Sequence, residues 1–143
     1  MSDTGPIRLE QYVGDVFEAM QGVHRLIGRH GLERGLLDLI HLRASQINRC
    51  AHCVKMHSRE AREHGESNDR LDRLTVWEHV SDFSEREKAA FAWTEALTRL
   101  ELKVDLGALR ARLRQHFSEA EIAGLTAEIA GINFWNRLGV ARN

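Results

Sequence analysis

The residues in this chain with the clearest capacity for chemistry lie in one short stretch, RCAHCVKMH, positions 49–57. It holds both cysteines of the chain, Cys50 and Cys53, and two of its eight histidines, His52 and His57. On a helix, a spacing of three places Cys50 and Cys53 on one face, near enough to close a disulfide across one turn. His57 follows Cys53 by four positions and Cys50 by seven, so it shares that face. An imidazole so placed can take a proton from Cys53 and hold the thiolate as an ion pair. His52 points away from the face of the two cysteines.

Two other readings of the same residues compete. Two thiols in a helix can be buried apolar filling, although a basic group on the same face fits a dry core poorly. Cys50, Cys53 and His57 could also be three zinc ligands, with His41 or His64 as a fourth. The chain has no second CxxC or HxxxH pair of the kind such sites draw on.

The cysteine segment must be held by its flanking elements. Asn48 and Arg49 form a tight connection between two apolar helical segments, which puts Cys50 in the first turn of the second. Unpaired N–H groups and a partial positive charge there favour a thiolate. The preceding helix spans about Glu33 to Ile47, with Leu36, Leu37, Ile40, Ala44 and Ile47 on one side. It carries Asp38 on an otherwise apolar face, toward Leu42 and Ser45. A carboxylate there either orients His57 as the third member of a Cys–His–carboxylate relay or is an exposed acid with no role.

Helical periodicity continues along the chain. A helix runs from about Gly14 to Gly28, and the cysteine helix ends at Gly65. A short helix covers Asp69 to Trp77. Ser84 with Glu87 and Ser118 with Glu121 are capping boxes, each opening a helix. Between them lies a short amphipathic piece, Leu106 to His116. The last helix is apolar from Ile122 to Trp135 with only Glu128 charged, which marks a core helix or one partly covered by another subunit. The single proline, Pro6, sits in an N-terminal arm, residues 1–13. No stretch has the alternation of a strand. The expectation is an all-α, single-domain helical bundle over residues 1–143.

Twenty basic residues against 21 acidic ones, interleaved, give no electrostatic case for nucleic acid or an anionic membrane. Neither a signal peptide nor a membrane span is legible, so the expected location is cytoplasmic. In a reducing compartment a close cysteine pair points to redox catalysis or metal rather than a structural disulfide.

RASQINRCAHCVKMHSREAREHGES resembles the signature of the AhpD-like alkylhydroperoxidases, within the carboxymuconolactone decarboxylase superfamily. FSEREKAAFAWTEALT (83–98) and GINFWNRLGVA (131–141) resemble further segments of that family. The resemblance implies an AhpD-like helical bundle assembled as homo-trimers or hexamers, and thiol-dependent reduction of a hydroperoxide. It implies that Cys53 attacks and becomes a sulfenic acid, and that Cys50 resolves it as a disulfide. It assigns His57 to a proton relay with the acid twelve positions before the first cysteine, Asp38, and gives His52 a supporting role. The resemblance calls for no cofactor or metal beyond the redox-active Cys50–Cys53 pair. The reductant would be an unidentified thiol or protein; a disulfide-exchange variant would serve a peroxiredoxin. Two departures stand out: the relay acid is usually Glu, and Gly commonly precedes the first cysteine where this chain has Arg49. The alternatives are a carboxymuconolactone-type decarboxylation, which needs no cysteine pair, and a zinc-binding structural helical oligomer.

Overall fold

The computed structural model describes residues 3–142. Among these the chain is helical throughout: α1 (Leu9–Tyr12), α2 (Gly14–Ile27), α3 (Arg34–Ile47), α4 (Ala51–Glu63), α5 (Asn68–Arg73), a 3₁₀ segment (Leu74–His79), α6 (Glu85–Arg99), α7 (Leu106–Leu113) and α8 (Glu119–Ala141). The all-α expectation holds. Both capping boxes form, with Ser84 and Ser118 each accepting from the backbone three residues on and receiving Glu87 or Glu121 in return. Gly65, with φ of +96°, closes the cysteine helix where glycine alone is unstrained. Two differences from expectation are local. The arm contains the four-residue α1, too short to show a period. The helix expected over 69–77 is α5 followed by the 3₁₀ segment, broken by the non-helical backbone of Val76.

The centre of the bundle is α3. Ten consecutive residues, Leu36 to Ser45, are buried, because α4, α6 and α8 pack around it. Leu39, Ile40 and Leu42 meet Phe91 of α6 and Leu125 and Ile129 of α8 in one apolar cluster. Phe91 also packs edge-on against Trp77 and Phe83, with ring centroids 5.8 and 5.2 Å away. Burying each such side chain contributes roughly 1.5–3 kcal/mol. The buried Arg43 is neutralised by Glu95 of α6 at 2.7 Å, and that carboxylate also accepts from the Trp77 indole N–H at 2.8 Å.

A polar seam fixes α3 against α8. Asn48 at the end of α3 donates to Asn133 and Asn136, each at 2.9 Å. Asn136 donates in turn to Ser45 at 2.9 Å, and Asn133 to Thr98 of α6 at 3.0 Å. This seam joins the RASQIN and GINFWNR stretches, and it sets the corner from which α4 departs. In contrast, α2 lies outermost and none of its residues is buried. It touches α8 through Phe17, whose ring centroid is 5.6 Å from that of Trp135. Val16, Val23 and Leu26 remain exposed. Among the described residues, no helix is long and apolar enough to cross a membrane.

The corner itself turns at Arg49, whose φ is +58°. L-residues enter this region at a cost of roughly 1–2 kcal/mol, and glycine does not. That explains physically why glycine suits this position. The Arg49 side chain is exposed and forms no hydrogen bond among the described residues. Arg49→Gly is therefore expected to raise stability by up to about 1 kcal/mol, part of the strain relief being offset by glycine's freedom when unfolded. Urea unfolding of the oxidised protein measures this. A clear loss of stability would mean that the arginine side chain makes a contact worth more than the strain.

Candidate active site

Cys50 occupies the N-cap of α4 in extended backbone, and its Sγ accepts from the Cys53 N–H at 3.3 Å. It therefore lies one residue ahead of the expected first turn. Cys53 follows within the turn, and the two are joined in a disulfide with Cα atoms 5.2 Å apart. The pair is backed by α8 at Gly139. A Cβ built on Gly139 would lie 2.5 Å from Cys50 Sγ and 3.0 Å from Cys53 Sγ. Only a residue without a side chain lets the last helix approach the sulfurs this closely.

The two sulfurs differ in access. Cys50 is wholly buried, at 0% exposure, and Cys53 is nearly so, at 4%, but only Cys53 reaches a cavity wall. Cys53 lines a cavity of about 770 Å³ that also takes in His52, His57, Asp38 and Gly139. Its apolar side is formed by Phe17 of α2 and by Ile132, Trp135 and Leu138 of α8.

Three histidines around this cavity each hold a carboxylate. His57 Nδ1 pairs with Glu60 Oε2 at 3.0 Å, His41 Nε2 with Glu128 Oε2 at 3.0 Å, and His64 Nδ1 with Asp38 Oδ2 at 2.7 Å. The relay expected between His57 and Asp38 is thus not drawn by a direct hydrogen bond. Asp38 is buried at 3% exposure and turns to His64, the C-cap residue of α4, about two turns beyond His57. The direct partner of His57 is Glu60, which the sequence reading passed over although it lies three residues on along the same helix. His52 is exposed at the cavity edge. Among the described residues, no group of three or more His, Cys, Asp or Glu side chains is placed to hold a metal ion, and the disulfide leaves neither sulfur as a thiolate ligand.

His57 is distinct among the three. Burial, and next the nearby His41, push its pKa down to about 4, against the opposing pull of Glu60. It is therefore neutral near pH 7. A carboxylate oxygen only accepts, so the proton of the neutral ring sits on Nδ1, facing Glu60. Nε2 is left as a bare acceptor, and it is buried without a hydrogen-bond partner. An unpaired buried acceptor on the Cys53 side of α4 is a place for a proton to go.

This lowered pKa also makes stability depend on pH. Between about 4 and 6.5 the unfolded chain binds a proton at His57 that the folded chain refuses. The contribution of neutral burial is complete above pH 6.5 and is lost as pH falls toward 4, to a total of about 3 kcal/mol. Urea unfolding of the oxidised protein at pH 7 and pH 4.5 is expected to show most of that loss in the wild type and a smaller loss in His57→Gln. An equal loss in both would place the titrating group elsewhere.

The sequence and the fold have counterparts. The model of the carboxymuconolactone decarboxylase family matches residues 14–96. An uncharacterized Bacillus subtilis protein, YdfG, is 34% identical over 122 residues, covering 85% of this chain and 83% of its own length. The uncharacterized YnjA of Escherichia coli is 32% identical over 113 residues, 79% of this chain and 62% of its own length. The crystal structure of an Agrobacterium tumefaciens protein of unknown function, linked by its description to the antioxidant defence protein AhpD, superposes with a TM-score of 0.91. It is 34% identical, over 97% of this chain and 95% of that one.

Proposed function

The chain belongs to the carboxymuconolactone decarboxylase family as an AhpD-like member, and on that premise we propose that it is a thiol-dependent hydroperoxidase working through Cys50 and Cys53. The observation that carries this reading is the unequal access of a bonded pair: Cys53 opens on the cavity, whereas Cys50 is sealed beneath it.

In the reduced protein, the Cys53 thiol gives its proton to His57 Nε2 and the thiolate attacks one oxygen of the hydroperoxide. An S–O bond forms, the O–O bond breaks, and the leaving oxygen takes the proton from His57 to depart as alcohol or water. Cys53 is then a sulfenic acid. The Cys50 thiol attacks its sulfur, the Cys50–Cys53 disulfide forms, and water leaves. An external thiol or protein dithiol returns two electrons by exchange at Cys53, the accessible sulfur. Glu60 holds the His57 ring in the required tautomer. Asp38 with His64 forms an outer acid–base pair on the same wall, and His52 edges the entrance.

The assay is hydroperoxide consumption with dithiothreitol, using hydrogen peroxide and cumene hydroperoxide. Cys53→Ser is expected to abolish turnover. Cys50→Ser should permit one stoichiometric oxidation of Cys53 without forming an intramolecular disulfide. Glu60→Gln should lower kcat/KM by roughly 10²-fold, and Asp38→Asn by less. Turnover that survives in Cys53→Ser rejects the proposal; a larger loss in Asp38→Asn than in Glu60→Gln returns the relay to Asp38.

We further propose that the exposed apolar residues of α2, Val16, Val23 and Leu26, pack against another copy of the chain in a homo-oligomer. Sedimentation equilibrium is expected to give a multiple of 16.3 kDa, with Val23→Glu reducing it. A wild-type monomer at micromolar concentration rejects this.

A further inference from the structure

One buried titratable pair has no part in that reaction. His41 of α3 and Glu128 of α8 are 6% and 3% exposed, joined at 3.0 Å. Glu128 is the one charge in an otherwise apolar stretch of α8, and His41 is its hydrogen-bond partner. A carboxylate buried in that setting demands a compensating group. The ring of His41 also lies against that of His57, with centroids 5.2 Å apart. Contacts link Glu128 to His41 and His41 to His57, and Cys53 stands four residues before His57 on α4.

We propose that His41, fixed by its hydrogen bond to Glu128 and packed ring against ring on His57, is a positioning residue for the redox site: it sets how readily the bare Nε2 of His57 takes and gives up the Cys53 proton. A proton on His57 lies buried and against a second imidazole ring, so it is released readily. During turnover the proton leaves Cys53 Sγ, rests briefly on His57 Nε2 and passes to the oxygen leaving the peroxide. The assignment of that last step rests on the hydroperoxidase reading; the control of His57 by His41 does not.

Burial is the largest influence on His57, and His41 is the foremost of the groups that face it. Glu60, on its own helix, favours protonation. His41 opposes it from α3, and His24 of α2 opposes it less. Glu128 of α8 acts through His41, whose ring also lies 5.9 Å from that of His24.

The test is NMR titration of the His57 imidazole in the oxidised protein, which needs no turnover. Glu128→Gln keeps a hydrogen bond to His41 but removes the negative charge. His41→Gln keeps a hydrogen bond to Glu128 but removes the second imidazole. In both, the His57 midpoint is expected to climb from about 4 by roughly one pH unit. In His41→Lys, which sets a positive charge at that position, it should stay low. The acid limb of hydroperoxide turnover should move upward with the midpoint in the two glutamine variants. If one of them does not fold, the other still decides. A midpoint near 4 in a folded glutamine variant overturns the proposal, as does a rate loss equal at every pH with no change in the limb. A wild type without turnover rejects the hydroperoxidase reading and leaves the titration to judge His41.

Discussion

The amide seam between α3 and α8 is the constraint from which the site follows. Asn48, Asn133, Asn136 and Ser45 are hydrogen-bonded to one another, and Asn136 and Ser45 are fully buried. Each such bond adds only about 1 kcal/mol, but stranding one partner costs about 1–3 kcal/mol. A slip of one helix along the other would strand several at once. The seam therefore specifies register more than it adds stability. That register brings Gly139, three residues past Asn136, onto the two sulfurs. With a side chain at 139, or α8 advanced by one residue, the disulfide and the helix would claim the same space.

Much of this was legible because helices state themselves locally. The capping boxes at Ser84 and Ser118 and the C-terminal glycine at 65 act within a few residues, so sequence alone identifies them. The cysteine face of α4 is likewise a matter of spacing. What spacing could not supply is the burial of α3. Its pattern looks amphipathic, and Asp38, His41 and Arg43 would ordinarily face water. Packing by α4, α6 and α8 covers every side of the helix, so these groups are buried and must find partners. Those partners, His64, Glu128 and Glu95, lie 26, 87 and 52 residues away along the chain. No periodicity encodes such pairings. Glu60 is the opposite case: its place three residues after His57 was readable, but family resemblance pointed to Asp38.

The electrostatics are those of a shared cavity rather than of one dyad. Five histidines and four carboxylates line the same space, and His57 feels its burial, His41, Glu60 and His24 together. Only His57 combines burial, contact with a second imidazole and an unpartnered ring nitrogen. His64 is held by a buried carboxylate but is itself substantially exposed, so solvent screens it. Position, not residue type, separates a proton acceptor from its supports.

The division of labour proposed for the cysteines rests on the backbone. Arg49 adopts the left-handed turn and Cys50 is extended, so the Cys50 side chain folds under the first turn and caps it. Cys53 is helical and faces the same way as His57. Exchanging the roles would require a peroxide to reach Cys50, which is fully buried and has α8 at Gly139 close against its sulfur. In the proposed reaction the order of events is therefore steric in origin. Only Cys53 opens to the cavity beside the neutral histidine, and the sulfur that closes the disulfide is the one already waiting at the helix cap.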